Sequence, residues 1–395
     1  MAVPTCSDAK DAKVDPSPRG VAATFRPKGG QIVDRGAEKK TREHHRFDAL
    51  DGLRGIAAFA VLLMHIAGSG TPNIVPHAAL AVDFFFGMSG FVIASAYEAR
   101  LRSGMTIRAF LVLRLIRLYP LILLGALLGT VGFYHLYSLQ MLSALLVTGL
   151  FLLPTPYGVL SEDQTAIAIN PPSWSLLWEL LANVLHAMIA PRLSNKLLMA
   201  LLLAAVLGIA WSSYISDGLD IGGFWRNSWG GMPRVIFSYF GGVALFRLWE
   251  AGKLRDFRVP LPAIVIMLWL TMMVPMLNGW TWLYDTSMVV VVYPMLLASG
   301  ANAVPGRLST LCALSGALSY PTYILQGGFV PHLRGLPSHL HLTGIGALAT
   351  SFLLAALFVG FAWALLKVYD EPVRRWLSRR PTKLAIVLVQ TRPII

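Results

Sequence analysis

Arg54 and His65 stand eleven residues apart in an apolar run that begins Leu50-Asp51-Gly52-Leu53-Arg54-Gly55. On a helix, eleven steps make about three turns with roughly 20° left over, which puts both side chains on one stripe about 16 Å apart. Ionisable residues in a segment that apolar are costly in lipid and mark a functional site by default. A structural histidine is the competing reading.

Three further groups have spacing that chemistry can use. Arg114 and Arg117 are i, i+3 and share a helix face. Paired guanidiniums repel each other unless an anion such as phosphate sits between them, and their fork geometry suits one; topology markers or lipid-headgroup anchors are the alternative. Asp83, Gly87, Gly90 and Ala94 form one narrow face in Val82-Asp83-Phe84-Phe85-Phe86-Gly87-Met88-Ser89-Gly90-Phe91. Small residues there let a neighbouring helix approach closely, and the short connection makes the first segment the expected neighbour. Asp83 would then orient or charge-balance His65. In Ser173-Trp174-Ser175-Leu176-Leu177-Trp178-Glu179, Ser175 and Glu179 share a face beside two tryptophans suited to a membrane interface. Glu179 reads as a general acid/base, as a partner for an arginine, or as an acceptor-binding group.

The elements that must position these residues are membrane helices. Hydrophobic residues are 55% of the 395, charged residues 13%, and mean hydropathy is +0.61, which places the chain outside the soluble range. Apolar segments fall at 50–69, 79–97, 109–132, 139–156, 173–190, 197–215, 233–249, 259–277, 281–301, 310–331 and 343–367. The fold predicted is an all-α polytopic transmembrane bundle of about 10 or 11 segments. The net charge of +13 lies mostly in termini and short loops, so it reads as topology and calls for no nucleic acid. Basic linkers at 98–102, 191–196 and 253–258, and the tail 369–380, are expected to be cytoplasmic, and the stretches 161–164 and 218–231 on the opposite side.

With both termini cytoplasmic the crossings must be even in number, so eleven segments cannot all span. One of 109–132 and 139–156 is expected to be re-entrant, interfacial or broken, with Arg114-Leu115-Ile116-Arg117-Leu118-Tyr119-Pro120 as the irregular part. Residues 1–46 read as a disordered cytoplasmic tail without a signal core, 47–376 as one transmembrane domain and 377–395 as a short tail. Cys6 and Cys312 define neither a disulfide framework nor a metal site. A multi-pass transporter or flippase of a glycan or lipid intermediate is the rival class, but no internal repeat is visible.

Taken in order, these residues resemble the acyltransferase-3 family, bacterial integral-membrane acyltransferases that O-acylate envelope and secreted glycans. Arg54 with His65 looks like its Arg-x10-His signature, and Val82-Asp83-Phe84-Phe85-Phe86 with Ser89-Gly90-Phe91 its second-helix motif. Arg114-x-x-Arg117 and Trp174-Ser175-Leu176 with Glu179 match two further elements, and Leu318-Ser319-Tyr320 with Tyr369-Asp370-Glu371-Pro372 resembles the closing pair. In many relatives the Ser-Tyr segment continues to a His, where this chain has Gln326. An essential second histidine is therefore not expected here, and His332, His339 and His341 read as incidental.

The resemblance implies transfer of an acyl group, most often acetyl, from acyl-CoA to a hydroxyl of a glycan or glycolipid at the inner membrane. No cofactor would be bound permanently; acyl-CoA is a co-substrate. A histidine poised near neutral pH is the usual base for such a hydroxyl. His65 is assigned that role, balanced by Asp83, with an acyl-His intermediate as the variant. Arg114, Arg117 and Arg54 would take the CoA phosphates, and Glu179 would stand on the acceptor side. Succinyl in place of acetyl, and the identity of the acceptor, stay open.

Overall fold

The computed structural model describes residues 47–67, 71–156, 164–334 and 336–379. The expected tail at 1–46 with Cys6, the stretch 161–163 and the residues after 379 lie outside the described residues. Each of the eleven segments is a helix. In order they are α1 Asp48–Ile66, α2 Ala78–Arg102, α3 Ile107–Gly132, α4 Leu139–Leu150, α5 Ser173–Ile189 and α6 Asn195–Ser216. There follow α7 Gly231–Glu250, α8 Leu261–Met273, α9 Thr281–Asn302, α10 Ser309–Leu325 and α11 Gly344–Arg379. Among the described residues the sole β pairing is an isolated bridge between Thr165 and Phe224. Helices α1, α2, α3, α6, α9 and α11 are long and apolar enough to cross a membrane, and the chain is an all-α integral membrane protein.

The expected irregularity at Arg114–Pro120 is absent. α3 continues through Pro120 for 26 residues. A proline in a membrane helix removes one ladder bond, here the one to Ile116 O, without ending the helix; one turn of α3 beside it is tied to α10, where the Tyr320 hydroxyl donates to Leu118 O at 2.7 Å. The short member of the pair is α4. Its 12 residues make about 18 Å, well below the roughly 30 Å of hydrocarbon.

Two interfaces of small residues set the arrangement of the helices that matter here. Along α1 and α10, a Cβ on Gly55 would stand 2.0 Å from Ser315 Oγ, and one on Gly316 would stand 2.5 Å from Asp51 Cβ. Along α2 and α7, a Cβ on Gly90 would stand 1.8 Å from Tyr239 O, and one on Gly242 2.0 Å from Gly87 O. Backbones this close leave room for hydrogen and nothing larger. The glycine face of α2 is therefore turned to α7. The expectation that it faces α1 fails because complementary glycines on α7, not nearness in sequence, decide the packing.

Polar contacts gather the loops at two ends. At one end Arg247 binds Glu98, Leu193 O at 2.9 Å and Asn195 Oδ1 at 2.8 Å, and Asn302 donates to Leu254 O at 2.7 Å. The three basic linkers thus share an end, as their charge predicts. At the other end His77 Nδ1 lies 2.7 Å from Asp285 Oδ1, whose Oδ2 accepts from Leu219 N at 2.8 Å, while Gly279 N donates to Asp217 at 3.0 Å. The 218–231 loop belongs to this second end.

Candidate active site

Arg54 lies in the second turn of α1, close to the basic end. The glycine contacts between α1 and α10 bring its guanidinium to Ser319 Oγ at 2.8 Å and Gly316 O at 2.9 Å, while Asp51 pairs with it at 2.9 Å. Arg114 and Arg117 reach the same place from α3. Arg114 is buried and donates to Glu179 Oε1 at 2.8 Å, and the same oxygen accepts from Ser89 Oγ at 2.6 Å. Arg117, one turn on, is exposed and makes no hydrogen bond or ion pair with any described residue. All three arginines line one cavity of about 790 Å³, with Glu179, Ser319 and Tyr320. With Arg54 paired to Asp51 and Arg114 to Glu179, Arg117 leaves these groups one positive charge in excess, and paired guanidinium forks of this kind suit a phosphorylated ligand. Of the readings offered for Glu179, the structure shows the arginine partner. Glu179 lies among the arginines and orients one of them.

His65 sits in the last turn of α1, which ends at Ile66, and so lies deeper along the chain's first crossing than a mid-helix position. Its Nδ1 stands 3.1 Å from Gln326 Oε1, and Gln326 in turn donates from Nε2 to Tyr323 O at 3.0 Å. The ring lines a second cavity of about 1470 Å³, shared with Thr71, Asn73, Trp174, Asp220 and Arg334. Asp220 carries a carboxylate with no ion pair among the described residues. The two cavities adjoin across a common wall: Val82 and Tyr323 line both. Tyr323 is held across the boundary by a 2.8 Å hydrogen bond between its hydroxyl and Ser175 Oγ, and its ring packs edge-on against Phe85 with centroids 5.6 Å apart.

Asp83 is not the partner of His65. Because its face is turned to α7, its carboxylate meets Arg234, at 2.6 Å from Nη2 and 3.1 Å from Nε, and accepts from Ser238 Oγ at 3.3 Å. Arg234 also donates to Ile221 O and to Ala79 O, and its guanidinium stands 5.5 Å from the Trp174 ring. The pair is almost solvent-free, so each charge exists there because the other does.

Sequence reasoning thus placed the three arginines together and missed Arg234, Asp220, Tyr323 and the use made of Gln326. Arg234 carried a readable signal, a cation at the start of an apolar segment. Nothing in the local pattern of Asp220 or Tyr323 sets them apart from ordinary loop and helix residues.

A family model described as "Acyltransferase domain" matches residues 47–367. The chain is also similar to "Protein 2 in picA locus" of Rhizobium radiobacter, 36% identical over 167 residues that cover 38% of this chain and 86% of that protein. No solved structure matches.

Proposed function

From the premise that the chain belongs to the acyltransferase-3 family and is a membrane acyltransferase, we propose that it moves an acyl group, in the first instance acetyl, from acyl-CoA to a hydroxyl of an envelope or secreted glycan. The observation that carries this reading is the pair of cavities. One is cationic and lies toward the basic end; the other holds His65 and lies toward the opposite end; they share the wall formed by Val82 and Tyr323. A donor with phosphates at one end and a reactive thioester at the other fits that layout. The basic end is assigned to the cytoplasm of a bacterial inner membrane, where the donor is made.

Arg117, with no hydrogen-bond or ion-pair partner among the described residues, is assigned the closest contact with the CoA phosphates, with Arg54 and Arg114 beside it. The imidazole has one nitrogen tied to Gln326, which leaves Nε2 to face a substrate. In the reaction proposed, His65 Nε2 takes the proton of the acceptor hydroxyl as its oxygen attacks the thioester carbonyl. The C–S bond then breaks, and the imidazolium returns the proton to the departing thiolate. Thr71, Asn73, Thr165 and Asp220 line the cavity around His65, and such hydrogen-bonding groups suit a polyhydroxylated acceptor. Asp83 and Arg234 hold the wall of that cavity and take no part in proton transfer.

H65A protein that is folded and still binds acyl-CoA is expected to form no ester, and retained transfer would refute the assignment. The acceptor class is read by proton NMR of envelope and secreted glycans from cells with and without the gene. Loss of ester signals from a glycan supports this reading. An unchanged ester content with no CoA binding by the purified protein would favour a transporter.

A further inference from the structure

The side chain of Gln326 is the one polar contact of the His65 ring among the described residues. It is 1% exposed and sits in the single tight turn Gln326–Gly328 that ends α10. That turn is clamped from two sides. A Cβ on Gly327 would stand 2.1 Å from Asn170 Oδ1, and one on Gly328 2.6 Å from Leu128 O of α3, while Asn170 Nδ2 donates to Ile324 O at 3.1 Å. The amide therefore has a fixed mount.

Its orientation is fixed as well. The NH2 group donates to Tyr323 O, and turning the amide over would set its carbonyl against that carbonyl oxygen with no proton between them. Oε1 consequently faces the imidazole. A carbonyl only accepts, so Nδ1 must carry the hydrogen and Nε2 the lone pair. The charged groups that share the cavity with His65 are Asp220, Arg234 and Arg334, and Arg234 is already engaged by Asp83.

We propose that Gln326 is the positioning residue of His65: it holds the tautomer protonated at Nδ1 and turns Nε2 toward the acceptor cavity. In serine hydrolases a carboxylate does this and also stabilises the imidazolium. A neutral amide does only the first, which avoids a third buried charge beside Asp83 and Arg234. The proposal rests on His65 being the base.

Three variants in full-length membrane protein test it. Q326A is expected to lower kcat about 10- to 100-fold, the size of effect seen when a group that orients a histidine is lost, with KM for acyl-CoA unchanged because Gln326 does not line the arginine cavity. Q326E keeps an acceptor on Nδ1–H, so kcat recovers at high pH, but the new carboxylate favours the imidazolium and moves the acid limb of the profile upward by about one pH unit. A structural role alone would not produce that movement. An independent readout is the 15N spectrum of histidine-labelled protein, with His65 identified by its absence in H65A: native protein shows protonated Nδ1, and Q326A shows mixed tautomers. Native protonation at Nε2, an unaltered kcat in Q326A, or superimposable pH profiles for native and Q326E would overturn the proposal. Activity in H65A would instead remove the base assignment itself, so the two failures are told apart.

Discussion

Replacing Arg234 by Met asks whether Asp83 is half of a structural ion pair or a participant in the reaction. The two side chains are 1% and 0% exposed, and the guanidinium binds the carboxylate through Nε and Nη2 while also reaching Ile221 O and Ala79 O. Removing one member of such a pair leaves a charge without compensation, at a cost of about 3–5 kcal/mol. The two carbonyls lose a donor in a region poor in water, which adds about 1 kcal/mol each. R234M is therefore expected to lose monodisperse protein in detergent at a temperature clearly below native. The paired change D83N/R234Q removes both charges and keeps amide hydrogen bonding, so it should recover about 2–3 kcal/mol of coupling in a double-mutant cycle. The assay is thermal stability of native, single and double variants, run beside acyl transfer. On the ion-pair reading the double variant transfers within about tenfold of native. A folded D83N/R234Q protein without activity would return Asp83 to the chemistry, and an R234M protein as stable as native would refute the electrostatic argument.

R117Q is expected to raise KM for acyl-CoA about tenfold, one charge-assisted contact, without loss of stability, since Arg117 has no ion pair among the described residues. R114Q differs: it leaves Glu179, 15% exposed, without its cation and should lower stability as well as affinity. Raising salt from about 0.1 to 1 M shortens screening from about 10 to 3 Å, so native KM should rise more steeply than that of R117Q; parallel salt curves would exclude Arg117 from donor binding. G55L places carbon where Ser315 Oγ would be 2.0 Å away, and α1 must part from α10, taking Arg54 from Gly316 O. Size-exclusion chromatography should show loss of folded protein, and a native profile with native activity would show that the close approach is not required.

The helices were legible because each is a long apolar run with punctuating charge, and a membrane permits little besides a helix in such a run. The arginine cavity was legible for a related reason: costly cations at helical spacing declare themselves. The partners of His65 and Asp83 were not. Asp83 and Gly87 point where α7 lies because Gly242 lets the two backbones meet, and that match between residues 87 and 242 has no trace in either local sequence. Once α7 takes that face, Arg234 arrives beside Asp83, and His65 is left to the turn after α10. Gln326 was discounted because it is not a histidine. The physical requirement there is an acceptor for Nδ1–H, which a glutamine meets.

Tyr323 carries the remaining step, since two adjoining cavities must also be kept apart. An acyl thioester exposed to water from the His65 side would be lost to hydrolysis, and excluding water from the reacting centre is a general function of closed sites. The Tyr323 ring, 7% exposed, with its hydroxyl on Ser175 and its edge on Phe85, occupies the shared wall. On the proposed function, Y323A should join the cavities, so that acyl-CoA hydrolysis without acceptor rises and the ratio of ester formed to CoA released falls. Y323F keeps the ring and loses only the bond to Ser175, so its ratio should stay near native. Free thiol and product ester measured together on the same preparation give that ratio. Y323A protein that is folded, transfers normally and releases no extra CoA would mean that something other than this side chain separates donor from water.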